Sequence, residues 1–295
     1  EPFMQLGPDP ANKIIDLPLA TDKTLYQGHP VAAVAATSAA LAMDAGLMIE
    51  VDYDMLDAVV DPEQALADRV VLHDAAGTNR TWHGVWDCGN VDQAFADAAH
   101  VVKIDRMHFH RFSSTPLEAS ACVAEWNRRG ELDLLCNNSF IGFAVQLLAP
   151  ALRLPTHKIR MRTADVGGSF GIKIGNYPYF ALAALASRKA GGRKVKWAET
   201  RSEHNQSAGH GNERTFRDTE VALDANGVIT GIRTRAIDDC GAFPRYEPLG
   251  CVIWSQVLPA TLSVRNLRID FTQTLTDGRG RKVDAERKFF PGYVL

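Results

Sequence analysis

Nine residues, Asp165-Val166-Gly167-Gly168-Ser169-Phe170-Gly171-Ile172-Lys173, constrain this chain most. Three glycines fall between two segments of regular pattern. Lys158 to Thr163 alternates, with Ile159 and Met161 inward, and reads as a strand; Tyr179 to Lys189 is rich in Ala and Leu and reads as a helix. The glycines therefore mark a strand-to-helix turn, where a backbone free of Cβ atoms bends sharply or approaches a ligand closely. Free amides in such a turn can cradle an anion. The segment lacks the Gly-Lys-Ser/Thr of a Walker A loop and the G-x-G-x-x-G of a dinucleotide fingerprint. On pattern alone a tight turn is favoured over a ligand site.

The flanking sequence predicts an α+β chain. Pro30 to Ala36 is a short apolar run, a buried strand; Thr37 and Ser38 can cap a helix over Ala39 to Ala45, ended by Gly46. Ile49, Val51 and Tyr53 then alternate with Glu50, Asp52 and Asp54, predicting a strand with one acidic face and completing an α/β unit. Asp61-Pro62-Glu63-Gln64 opens a short helix. Residues 79–90, rich in Gly, Asn, Trp and Asp, read as a connection, and a domain boundary is placed near residue 100. Extended segments follow at His100 to Phe112, Ser120 to Trp126 and Glu131 to Cys136, the last two joined by an Asn127-Arg128-Arg129-Gly130 turn. Phe140 to Leu152 reads as a helix that Pro150 bends or ends. Arg193 to Trp197 is a strand, and Asp224-Ala225-Asn226-Gly227 joins Arg217 to Leu223 and Val228 to Asp238 as a hairpin.

Composition bounds the partners. A net charge of −3 gives no field for nucleic acid or an anionic membrane, so neither is expected. No apolar run reaches the roughly 20 residues of a membrane helix. Glu1 is not preceded by Met, so a part upstream is expected to be missing, and the first residues do not form a signal peptide. Five cysteines with no C-x-x-C predict free thiols in a reducing compartment, the cytoplasm, and no four-cysteine cluster.

Several motifs, taken in order, resemble one family. Gly167-Gly168-Ser169-Phe170-Gly171-x-Lys173 is similar to the G-G-G-F-G-x-K signature of the xanthine dehydrogenase/aldehyde oxidase-type molybdenum hydroxylases. Gly28-His29-Pro30-Val31-Ala32-Ala33-Val34, Glu50-Val51-Asp52-Tyr53 and Val59-Val60-Asp61-Pro62 resemble that family's small α/β hammerhead domain. Pro116-Leu117-Glu118 with Glu125-Trp126, then Glu199 to His204 and Asp239 to Phe243, look like its first cofactor-binding domain. The resemblance implies a partial hammerhead domain over residues 1–100, a first molybdopterin-binding domain over 101–276, and an unrelated or junction tail over 277–295. It implies hydroxylation of an aldehyde or N-heterocycle, with water as oxygen source, at a molybdenum-pterin cofactor. Iron–sulfur and FAD groups are expected only on partner subunits, a small one and a medium one, since this chain has a motif for neither. Asn138, Ser139, Gly167, Gly168, Phe170 and Gly171 would contact the cofactor, Phe170 as an apolar wall for the substrate. Glu118, by family position, is structural.

The chain departs from the family at three places. A Gln expected shortly before the first long helix is absent; Cys136-Asn137-Asn138-Ser139-Phe140 stands there, so Asn138 or Ser139 would take its hydrogen bond. Ser169 replaces the middle glycine. Past Thr276 the resemblance stops: Glu286 to Leu295 looks like a stretch of the bacterial transcription factor NusG instead. The second cofactor-binding domain, with the general-base glutamate, is not in the sequence, so the subunit is expected to be truncated, with no catalytic residue of its own and no activity as this chain alone. The alternative is a non-catalytic remnant or accessory module without cofactor. His108 and His110 share one side of an extended run, a metal-ligand spacing, but no third ligand is evident and no metal site is assigned. His204 and His210 are expected at the surface.

Overall fold

A computed structural model describes residues 11–277, except 12, 113, 208–210, 245–246, 248–249, 251–252, 254–256 and 260–261, together with the backbone of 206–207 and 289–294. Its strands, in chain order, are β1 (Ala32–Ala36), β2 (Arg80–Cys88), β3 (His100–Phe109), β4 (Ala121–Trp126), β5 (Leu132–Cys136), β6 (Ile159–Thr163), β7 (Val195–Ala198), β8 (Glu213–Leu223), β9 (Ile229–Asp239), β10 (Asn266–Thr274) and β11 (Phe289–Val294). They form two sheets, ordered β1-β11-β7-β4-β5-β6 and β2-β10-β9-β8-β3.

The chain divides into two compact units, each discontinuous in sequence. One comprises Glu1–Asp16, Asp57–Phe112 and Asn212–Gly280; the other comprises Leu17–Leu56, Ser113–Gly211 and Arg281–Leu295. Compactness thus partitions the chain differently from the linear division at residues 100 and 276. The reason is strand pairing: β2 and β3 come before residue 112, β8 to β10 come after residue 212, and all five share one sheet.

In the first unit, Phe216, Ala236, Leu267, Ile269 and Phe271 form the core, with Trp82, Trp86 and Met107 packed against it. Residues 79–90 are therefore not a connection: Arg80–Cys88 runs antiparallel to β10. Trp86 meets Phe271 edge-on at 5.9 Å, and the Trp82 ring lies over Gly84, where any Cβ would collide with it. A glycine inside a strand here marks close approach, not a turn.

In the second unit, the helices Ile141–Leu152 and Tyr177–Lys189 cover the sheet. Leu148, Leu152, Phe180, Ala183 and Ala184 pack with Ala124, Leu132, Leu134 and Trp197. Pro150 is accommodated inside its helix, which ends at Arg153 in a left-handed conformation (φ 54°). The helix Ala39–Leu47 is capped by the Ser38 hydroxyl as expected. The strand expected over Ile49 to Tyr53 does not form among the described residues: the segment keeps its alternating exposure but joins no described ladder. Instead β1 pairs in parallel with β11, whose other edge pairs with β7. The NusG-like stretch Glu286 to Leu295 contributes that strand; its side chains, and residues 278–288, lie outside the described residues.

Candidate functional site

The glycine-rich loop follows β6 and leads through a 3₁₀ turn, Ile172–Ile174, into the helix Tyr177–Lys189. Its base is an ion pair between a buried lysine and a partly exposed glutamate. Lys173 is fully buried, and its Nζ lies 2.6 Å from Glu118 Oε2. The same oxygen accepts the Gly167 N–H at 2.7 Å. Burial tends to raise the Glu118 carboxyl, but the hydrogen bonds from Lys173 and Gly167 outweigh it and hold the group below the usual glutamate range. Gly167 has to be glycine because a Cβ there would stand 2.7 Å from the Glu118 Cβ. Glu118 thus has the structural position that the resemblance implied.

The far side of the loop turns outward. Gly168, Phe170 and Gly171 all have positive φ, at 95°, 49° and 92°. For Phe170 this left-handed conformation costs about 1–2 kcal/mol. The residue is 75% exposed, with one edge of its ring beside Gly168. No atom lies within 4 Å of where a Cβ on Gly171 would sit. Among the described contacts, the amides of Gly168, Ser169, Phe170 and Gly171 have no hydrogen-bond partner in the protein.

The two candidates for the missing Gln part company. Asn138 is buried, donating through Nδ2 to the Lys173 carbonyl at 2.5 Å and accepting the Phe140 N–H at 2.7 Å through Oδ1. Its amide braces the loop from behind. Ser139 is exposed, and its hydroxyl lies 3.0 Å from that of Ser169. The structure therefore brings Ser139, Gly167, Gly168, Ser169, Phe170 and Gly171 together on one loop surface and sets Asn138 beneath it.

Sequence reasoning missed the burial of Lys173; the only available signal was its family position. His204, expected at the surface, is fully buried, with Nδ1 3.0 Å from Glu199 Oε2 and Nε2 2.9 Å from the Ser114 carbonyl. A helix of polar residues, Arg201–Ser207, hid that inward position. His210 lies outside the described residues. The described cysteines, 88, 122, 136 and 240, are free thiols. Among the described residues no helix is long and apolar enough to cross a membrane.

A parallel-and-antiparallel sheet under two helices, with a strained glycine loop at its strand end, defines the class. The chain belongs to the molybdopterin cofactor-binding domain family, which matches residues 72–279, beginning ahead of the boundary expected near residue 100. It is 36% identical, over 78% of its length and 29% of the relative's, to the 6-hydroxypseudooxynicotine dehydrogenase complex subunit gamma of Paenarthrobacter nicotinovorans. It is 33% identical, over 76% of its length and 30% of the relative's, to the carbon monoxide dehydrogenase large chain of Hydrogenophaga pseudoflava. Among solved structures, quinoline 2-oxidoreductase from Pseudomonas putida 86 superposes with a TM-score of 0.73 at 27% identity, covering 81% of this chain and 30% of that one. These likenesses agree with the molybdenum hydroxylase resemblance, and the chain spans about 30% of the length of these two relatives.

Proposed function

We propose that this chain supplies one wall of a molybdenum-pterin site in an oxidoreductase that hydroxylates an N-heterocycle or an aldehyde, with water as the oxygen source. The observation that carries the reading is the loop Gly168–Gly171, which holds four amides without a partner among the described residues and a strained, exposed Phe170. Strain of that kind persists where the surroundings enforce it and clusters at ligand sites. The loop fits the cofactor: amide donors suit its anionic oxygens, and the open space at Gly171 admits a bulky group.

When bound, the molybdenum-pterin group supplies the two-electron chemistry. The residues of this chain orient it and shape the substrate side. The amides of Gly168 to Gly171 donate hydrogen bonds. Ser139 takes the donor role of the absent Gln, because Asn138 is held behind the loop. Phe170 offers an apolar face on which a flat ring stacks, and the likeness to a quinoline oxidoreductase supports that substrate class. Glu118 is bound by Lys173 and Gly167 and does not serve as the base. Residues 1–100 and 101–276 correspond in this reading to hammerhead and first cofactor-binding domains. Electrons leave through an iron–sulfur small subunit and an FAD medium subunit, in the cytoplasm.

The test is equilibrium dialysis of the 295-residue chain against isolated molybdenum cofactor under anaerobic conditions, with retained molybdenum measured by mass spectrometry. Retention above that of an unrelated protein, lost in Gly171→Val, is expected. Retention that is absent, or the same in both forms, refutes the reading.

A further inference from the structure

Far from the glycine loop in sequence, three side chains converge in the first unit. His108 lies on β3, His110 just past its end, and Glu213 opens β8. The spacing of two along an extended backbone puts both histidines on one face. On the antiparallel partner, Thr215 stands opposite His108, so Glu213 comes opposite His110 on that same face. The candidate ligand atoms of His108, His110 and Glu213 all lie within 4.8 Å of one another.

The spacing fits a metal. Zinc–nitrogen and zinc–oxygen bonds of about 2.0–2.2 Å at a tetrahedral angle put adjacent donor atoms roughly 3.3 Å apart. His108 Nε2 lies 3.1 Å from His110 Nδ1 and 3.3 Å from Glu213 Oε1. The two rings are near perpendicular, at 84°, so that the donor atoms converge without the rings stacking. The outer contact is also of the right kind. His108 Nδ1 is 2.8 Å from the Thr215 hydroxyl, which can accept the Nδ1 proton and so turn the Nε2 lone pair toward the cluster.

With the proton on Nδ1, a cation between His108 Nε2 and Glu213 Oε1 would satisfy both atoms. His108 Nε2 then presents a lone pair to a carboxylate oxygen. The nearby guanidiniums do not supply the missing charge. Arg111 is paired with Asp239 at 2.8 Å, and Arg106 with Glu63 at 3.2 Å. Arg106 Nη2 comes only to 3.5 Å from His108 Nδ1, a longer contact than the Thr215 hydroxyl makes.

We propose that His108 Nε2, His110 Nδ1 and a Glu213 oxygen bind a divalent cation of the zinc class, with water as fourth ligand, pinning the end of β3 to the start of β8. The sequence could not show the third ligand, because Glu213 is brought to the histidines only by the β3–β8 ladder.

The test uses the full chain with any affinity tag removed, stripped with chelator and titrated with cobalt(II). A stoichiometric visible spectrum of four-coordinate cobalt without thiolate charge-transfer bands, displaced by zinc, is expected. It should disappear in His110→Ala and Glu213→Gln. It should survive in Cys88→Ser and His157→Ala, which remove an exposed thiol and an exposed imidazole elsewhere. Thr215→Val, which leaves every ligand in place, should weaken binding about 10–100-fold through the lost outer hydrogen bond. Far-UV circular dichroism shows that each variant is folded; His110 is exposed, so its truncation leaves the core alone. No bound cobalt or zinc in the unsubstituted chain overturns the proposal. So does binding that His110→Ala and Glu213→Gln leave unchanged, or a spectrum lost in Cys88→Ser.

Discussion

Glu118→Gln probes what holds the glycine loop in shape. The Lys173 ammonium is fully buried against one carboxylate oxygen, 2.6 Å away, and that oxygen also binds the Gly167 amide. Glutamine keeps the shape and removes the charge. Orphaning one partner of a buried ion pair costs about 3–5 kcal/mol. The Glu118 side chain is 41% exposed, however, so water screens part of the interaction, and roughly 2–3 kcal/mol is the expected cost. At about 2–4 °C per kcal/mol for a domain of this size, the melting temperature should fall by roughly 4–12 °C. Thermal unfolding followed by circular dichroism measures it. Adding Lys173→Met removes the orphaned ammonium and should recover at least half of the loss. A Glu118→Gln melting temperature within about 1 °C of the parent, or a double variant worse than the single one, would falsify the account of the loop as hung on the charge of a buried lysine.

Three further outcomes follow from the structure. His204→Leu removes the imidazole from Glu199, which keeps only the Ser120 N–H on that oxygen, and from the Ser114 carbonyl, and should cost about 2–4 kcal/mol in urea unfolding; a change under about 0.5 kcal/mol would show that neither contact matters. Deleting residues 289–294 removes the strand between β1 and β7 and should lower the melting temperature by several degrees, whereas an unchanged value would mean that β11 does not fill that position. Glu118 and Glu63 both titrate below the usual range in the folded chain; for Glu63 the Arg217 hydrogen bond outweighs the opposing effect of burial. Folded pKa values below unfolded ones give stability that is present above the unfolded value, about 4.3, and lost as pH falls through the folded ones. The urea midpoint should therefore drop below about pH 4.5, less so in Glu118→Gln; identical pH profiles would contradict the assignment.

Local signals in the sequence were read where local forces decide. The Ser38 cap, the short helix opened at Asp61-Pro62, the Asn127 to Gly130 turn and the Asp224 to Gly227 hairpin all form as expected. So do the two helices beside the glycine loop, because a sheet covers their apolar faces. Where tertiary partners decide, pattern failed. Arg80–Cys88 carries loop composition but pairs along β10, and β10 itself, with Leu267, Ile269 and Phe271 alternating inward, was legible and went unread. Ile49 to Tyr53 has strand periodicity but joins no ladder among the described residues. At the site, the glycines announced a turn, but only the fold shows that Asn138 lies behind it and that Lys173 anchors it.

The ladder from β3 to β8 also has a thermodynamic consequence. Phe109 pairs with Arg214, so the long segment Ser113–Gly211 leaves and returns through two adjacent strands. Closing a flexible loop of about 100 residues costs roughly 4 kcal/mol of chain entropy beyond a length-independent constant. An inserted segment that folds with its ends close together removes most of that cost before β3 and β8 meet. Unfolding the insert reimposes it on the strands that frame it. The two cores are thereby linked through the entropy of the connecting chain, and a destabilising change among residues 113–211 lowers the stability of the β3–β8 ladder without touching a residue in it.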